Sequence, residues 1–117
     1  MAEIGGVLTA MITPFAEDRS VDEATARRVA RHLIENGSHG LVLAGTTGES
    51  PTLDDAEKIS LLRAIRDELG SDALIVCGTG SNDTRHSERL SAAGIGPNEE
   101  RFLAALENVT PALARAA

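Results

Sequence analysis

The chain reads as an α/β protein built on a parallel sheet, and three observations carry that reading. Short apolar runs alternate three times with helical patterns: Val7 to Ile12, Gly40 to Ala44 and Leu74 to Cys77 each precede a stretch of helical spacing. This is the strand–helix rhythm of βαβ units. The runs are apolar at successive positions rather than alternately, as in strands buried on both faces of a parallel sheet. The second and third runs also end in glycine-rich loops, Gly45-Thr46-Thr47-Gly48-Glu49-Ser50 and Gly78-Thr79-Gly80-Ser81-Asn82.

Each element has its own signals. Pro14 ends the first strand. Ser20, with Glu23 three residues on, has the capping-box spacing and predicts a helix to about Asn36. Its inward stripe is Ala26, Val29, Ala30 and Leu33, and Gly37 supplies the stop. Leu41-Val42-Leu43 is the centre of the second strand. Thr52 can cap a second helix over Leu53 to Leu69, with Ile59, Leu62, Ile65 and Leu69 at helical spacing and Gly70 at its end. Leu74-Ile75-Val76-Cys77 is the third strand. A weaker helix spans Asp83 to Ala92, with Asn82 or Asp83 as its cap. Gly94 to Asn98 is then a loop, and Asn98 to Val109 has the pattern of an amphipathic helix with Phe102, Leu106 and Val109 on one face. Pro111 disturbs its last turn, and no fourth strand is expected.

Size and charge narrow the function classes. The 117 residues suit one domain. A net charge of -7, with the arginines spread among acidic neighbours, argues against nucleic acid. No run approaches the roughly 20 apolar residues of a membrane span, and the N-terminus lacks the pattern of a secretory signal. Cys77 is the only cysteine and sits in an apolar run, which suits a small buried hydrophobe. A reducing cytoplasm is the default compartment.

The Gly45–Ser50 loop is the first candidate site. It follows a parallel strand, where α/β folds hold their ligands. Gly45 and Gly48 permit tight turns, loop N–H groups can converge on an anion, and Thr46 and Thr47 add hydroxyls. Such a loop suits a small carboxylate. Both threonines could equally serve only to shape the turn.

Together with Leu8-Thr9-Ala10-Met11-Ile12-Thr13-Pro14-Phe15, the two glycine loops resemble the first third of the dihydrodipicolinate synthase / N-acetylneuraminate lyase family, from about Gly5 to Ala93. The resemblance implies a (β/α)8 barrel that joins pyruvate to an aldehyde through a lysine Schiff base, with no cofactor. For this chain it implies a partial barrel, about three βα units over residues 1–93, followed by a loop and C-terminal helix over 94–117. That tail is similar to the segment ending many members of the family, as if the middle of a barrel were deleted near Ala93. A frame change or an early stop would explain the junction equally well. By the motif, Thr47 matches the position that holds the pyruvate carboxylate, with Gly45 and Thr46 beside it. Thr46 matches the threonine that relays protons between two tyrosines. The doubled threonine resembles the synthase branch, whose reaction condenses pyruvate with aspartate semialdehyde on the way to lysine. This chain departs from the pattern, because it has no tyrosine and its only lysine is Lys58.

The remaining polar residues have plainer roles. Gly78–Asn82 lacks the third glycine of a dinucleotide fingerprint and the lysine of a phosphate loop. Lys58 is expected on the solvated face of the second helix, protonated and unsuited to imine chemistry. His32, His39 and His86 are scattered without metal-ligand spacing, so no metal is expected. Asp54, Asp55 and Glu57 favour a helix N-terminus. The expected function is therefore that of a synthase relative inactive by itself. The alternatives are a fragment of another pyruvate-dependent aldolase or lyase of the family, and a non-enzymatic module that binds an anion or a partner. Strands apolar on both faces, with too few neighbours to cover them, predict self-association.

Overall fold

A computed structural model describes residues 6–71 and 73–94, and the backbone of 102–105. The elements are β1 (Leu8–Ala10), α1 (Glu23–Glu35), β2 (Gly40–Leu43), a 3-10 turn (Ser50–Thr52), α2 (Asp55–Leu69), β3 (Leu74–Gly78), α3 (Thr84–Gly94) and β4 (Phe102–Ala105). The strands form one sheet in the order β1-β2-β3-β4, every neighbouring pair parallel. Leu8, Gly40 and Leu74 lie in one register row, and Ala10, Val42, Val76 and Leu103 in another.

β4 corrects the sequence reading. Residues 102–105 form a strand on the free edge of β3, not part of a helix. A single apolar side in the spacing of Phe102 and Leu106 is ambiguous in so short a segment, and the open edge of β3 offers backbone partners that a helix would not use. The rest of the expected 98–109 helix, the 94–98 loop and Pro111 lie outside the described residues, apart from Gly94, which closes α3.

Both long helices begin two residues later than expected. Asp22 caps α1, its carboxylate accepting from the Thr25 N–H at 2.9 Å. Ser20 instead donates to Asp18 within the preceding turn. Asp54 caps α2 in a full capping box, accepting from the Glu57 N–H at 2.8 Å while its own N–H donates to the Glu57 carboxylate at 2.9 Å. Thr52 belongs to the 3-10 turn and donates to the Glu49 carbonyl. A carboxylate at a helix start satisfies free N–H groups and also favours the positive end of the dipole.

The core lies between the sheet and its helices. Met11, Leu41, Leu43, Ile75 and Cys77 meet Ala26 and Ala30 of α1 and Leu61, Leu62, Ile65 and Leu69 of α2. Val29 and Leu33 pack at its border, so the stripe foreseen on α1 is the buried one. Ion pairs tie α1 to α2 at the surface, Arg31 Nε to Glu68 at 3.1 Å and Arg27 to Asp67 at 3.9 Å. Exposed pairs of this kind contribute little.

The opposite face of the sheet has no such cover from the described residues. Ala10 is exposed, Ile12 is 57% exposed, and Leu8, Val42 and Val76 are only half-buried. That face is therefore only partly open: Gly40 and Leu74, in the row of Leu8, are buried.

Candidate carboxylate-binding loop

The Gly45–Ser50 loop leaves the C-terminal end of β2 and is bent by its own backbone. Ala44 and Glu49, at its two ends, adopt positive φ of 51° and 59°. That region is uncommon for side chains other than Gly, Asn and Asp. The Glu49 N–H donates to the Thr46 carbonyl at 3.1 Å, and the Ser50 N–H to the Gly45 carbonyl at 3.2 Å. The buried Thr13 hydroxyl donates to the Gly48 carbonyl at 2.7 Å, pinning the loop to the end of β1. A Cβ at Gly48 would stand 3.1 Å from the Ala44 nitrogen and 3.2 Å from the Met11 carbonyl oxygen, so only glycine packs here without a shift.

Thr46 and Thr47 project from this fixed turn into solvent. Among the described residues, neither hydroxyl nor either N–H makes a hydrogen bond. The loop therefore presents two unspent hydroxyls and two unspent N–H groups at the end of a parallel strand, as anion binding requires.

The neighbouring Gly78–Asn82 loop is structural. A Cβ at Gly78 would fall on the Ala44 carbonyl, so this glycine lets β3 pass beside the turn out of β2. Hydroxyls then fasten the loop to α3. Thr79 pairs with Ser91 at 2.8 Å, and the Ser81 N–H donates to the buried Ser87 hydroxyl at 2.9 Å. The Asp83 carboxylate accepts from the Arg85 N–H at 3.0 Å, the cap expected at that helix start.

Lys58 overturns its expected place. It is 7% exposed and lies on the buried side of α2, not on the solvated face. Leu61, Leu62 and Ile65, three to seven residues on, share that side, which explains the reversal. The four-carbon stem packs as a hydrophobe would. Among the described residues Lys58 makes no hydrogen bond or ion pair; its charge bears on the Cys77 thiol. Burial pushes that thiol up to about 11, and the ammonium partly offsets the push. Cys77 is thus the buried hydrophobe expected.

The structure also joins residues that the sequence left apart. His86 of α3 meets Asp55 at the start of α2, with Nε2 to Oδ2 at 2.7 Å. His39 accepts from the Val7 N–H at 3.0 Å through Nδ1. Sequence spacing could not pair residues on different helices. Among the described residues no group of three His, Cys, Asp or Glu side chains could hold a metal, and no described helix is long and apolar enough to cross a membrane.

A parallel sheet with helices on its outer side and its loops at one rim defines the class of the molecule, part of a (β/α)8 barrel. Residues 3–111 match the dihydrodipicolinate synthetase family, and the chain belongs to it. It is 53% identical over 92 residues to 4-hydroxy-tetrahydrodipicolinate synthase of Mycolicibacterium paratuberculosis, covering 79% of this chain and 31% of that protein. It is 58% identical over 94 residues to the Parasynechococcus marenigrum enzyme of the same name, covering 77% and 31%. Among solved structures, a dihydrodipicolinate synthase from Bacillus anthracis superposes with a TM-score of 0.85 at 32% identity, over 100% of this chain and 44% of that one. A family member encoded by a prophage of E. coli K12, solved in complex with pyruvate, gives a TM-score of 0.74 at 26% identity, over 80% and 31%. The chain spans about a third of the length of the curated relatives it matches.

Proposed function

We propose that this chain keeps the carboxylate-binding loop of its family and performs no synthase turnover by itself. The observation that carries the reading is the pairing of an exposed, hydrogen-bond-free Thr46 and Thr47 with a lysine sealed in the helix layer. Pyruvate is the carboxylate, held by Thr47 with the Thr46 and Gly45 backbone beside it. Thr46 keeps the proton-relay position, but the chain has no tyrosine to relay between. The parental reaction is condensation of pyruvate with aspartate semialdehyde through a lysine Schiff base, a step of lysine synthesis. Such an imine needs an unprotonated amine beside the bound carbonyl. Lys58 is buried in the helix layer, where its charge bears on the Cys77 thiol. The chain works in the cytoplasm, and its open strand surface drives self-association.

Pyruvate titration followed by NMR tests the loop. Shifts confined to residues 45–50, with a Kd on the order of 1 mM (about -4 kcal/mol) and lost in Thr47→Val, are expected. Mass spectrometry after pyruvate and borohydride tests the chemistry, and no adduct on Lys58 is expected. A stoichiometric adduct, absent from Lys58→Ala, would show that the chain has rebuilt an imine site.

A further inference from the structure

Thr13 carries a buried hydroxyl beside the Gly45–Ser50 loop, and its backbone is held on both sides. On one side the Met11 N–H donates to the Val42 carbonyl at 3.0 Å, fastening the end of β1 to β2. On the other the Asp22 N–H, at the start of α1, donates to the Pro14 carbonyl at 2.9 Å. Pro14 also confines the residue before it to extended backbone, and a β-branched side chain has few rotamers. The Thr13 hydroxyl is therefore aimed by the framework rather than by the loop it meets.

It donates to the Gly48 carbonyl at 2.7 Å. That carbonyl is one end of the Gly48–Glu49 peptide. The other end is the Glu49 N–H, which donates to the Thr46 carbonyl at 3.1 Å. The Thr46 carbonyl shares its own peptide with the Thr47 N–H, one of the unspent donors of the loop. Two hydrogen bonds and two peptide groups thus run in series from Thr13 to the Thr47 N–H. Among the described residues, no other side chain from outside the turn hydrogen-bonds to residues 45–48.

We propose that Thr13 is the positioning residue of the carboxylate site, fixing and polarising the Thr47 N–H through this series. The proposal rests on the reading above that Thr47 holds the carboxylate. Hydrogen bonds in series polarise one another, so donation to the Gly48 carbonyl makes the Thr47 N–H a better donor. Orientation matters as well. Gly48 has no side chain to resist a turning over of the Gly48–Glu49 peptide. The Thr13 hydroxyl keeps that carbonyl inward, and with it keeps the Glu49 N–H on Thr46. Thr13 does not touch the ligand; it acts through the loop.

Pyruvate titration of the full chain by NMR tests this. Thr13→Val keeps the shape and removes the donor. It should weaken pyruvate binding about tenfold and move the Thr47 amide proton of the free chain upfield. Thr13→Ser restores a hydroxyl and should recover most of the affinity. Ile65→Val thins the buried side of α2, away from these bonds, and should leave the Kd unchanged. Should Thr13→Val fail to fold, the wild-type chain decides: the scalar coupling across the hydrogen bond from the Glu49 nitrogen to the Thr46 carbonyl carbon should strengthen as pyruvate saturates. Wild type that binds no pyruvate would overturn the carboxylate site and the role of Thr13 together. Wild type that binds pyruvate, with Thr13→Val binding it equally well or Ile65→Val weakening it as much, would overturn only the role of Thr13. So would a coupling that pyruvate leaves unchanged.

Discussion

The two faces of the sheet differ, though adjacent residues build both. Along β3, Ile75 and Cys77 are sealed against the helices, while Val76 between them is half-open. The side chains are nearly equal in apolar character. Between these neighbours burial follows the helices rather than hydrophobicity, although Leu74, on the face of Val76, is buried as well. The sequence makes both faces apolar, and the described residues bring helices to one of them.

The largest expected effect tests that contrast directly. Ile75→Ala empties a fully buried site and should cost about 2–5 kcal/mol. Val76→Ala, one residue away, should cost less than about 1 kcal/mol in the separated chain, since little of its burial is realised there. Urea unfolding at low protein concentration compares them. Equal losses would mean that the inner face is covered, and the contrast would collapse.

Lys58 sharpens the comparison from the helix side. Its stem contributes packing and its charge opposes it. Lys58→Ala should therefore cost about 2 kcal/mol through the lost stem, whereas Lys58→Met, keeping the length without the charge, should be neutral or stabilising. Thermal melts of both variants decide it. If Lys58→Met is as damaging as Lys58→Ala, the ammonium makes a favourable contact that a methionine cannot replace.

The fold was legible where the signal was repetitive. The three βα alternations, the Gly70 stop and the α1 stripe were each over-determined by several residues. The turn at residues 45–50 was legible too, because glycines and threonines in that order have few physical uses. Three features were not. The strand at 102–105 depends on the free edge of β3, which no local pattern records. Lys58 reads as solvated from its charge alone, and only the packing of its helical neighbours turns it inward. The His86–Asp55 pair joins two helices whose approach is tertiary. The helix starts failed differently: Ser20 and Thr52 were good caps on paper, but Asp22 and Asp54 stood two residues on and bind the free N–H groups through carboxylates.

That misreading gives a smaller prediction. Asp54→Ala removes the side-chain half of a capping box, leaving the backbone N–H on the Glu57 carboxylate, and should cost about 1 kcal/mol. Thr52→Ala loses only a turn hydrogen bond to the Glu49 carbonyl and should cost less. If Thr52→Ala is the more damaging of the two, the helix begins where the sequence first placed it.

The smallest effect concerns pH. The Asp22 carboxylate is held below its ordinary value by the Thr25 backbone N–H, then by the Thr25 hydroxyl. A group depressed in the folded state adds stability above its unfolded pKa and loses it as pH falls through the folded value. The wild-type chain should therefore lose a little stability as pH drops below the ordinary carboxylate range of about 4. Asp22→Asn keeps a side-chain acceptor for the Thr25 N–H but cannot titrate, so its denaturation midpoint should vary less over that window. Because water reaches this half-buried group, the difference should be small and should not alter the contrast between the two faces. Matching pH profiles for Asp22→Asn and wild type would mean that the cap is no more than a neutral hydrogen bond, and that α1 owes its start to the burial of Ala26 and Ala30.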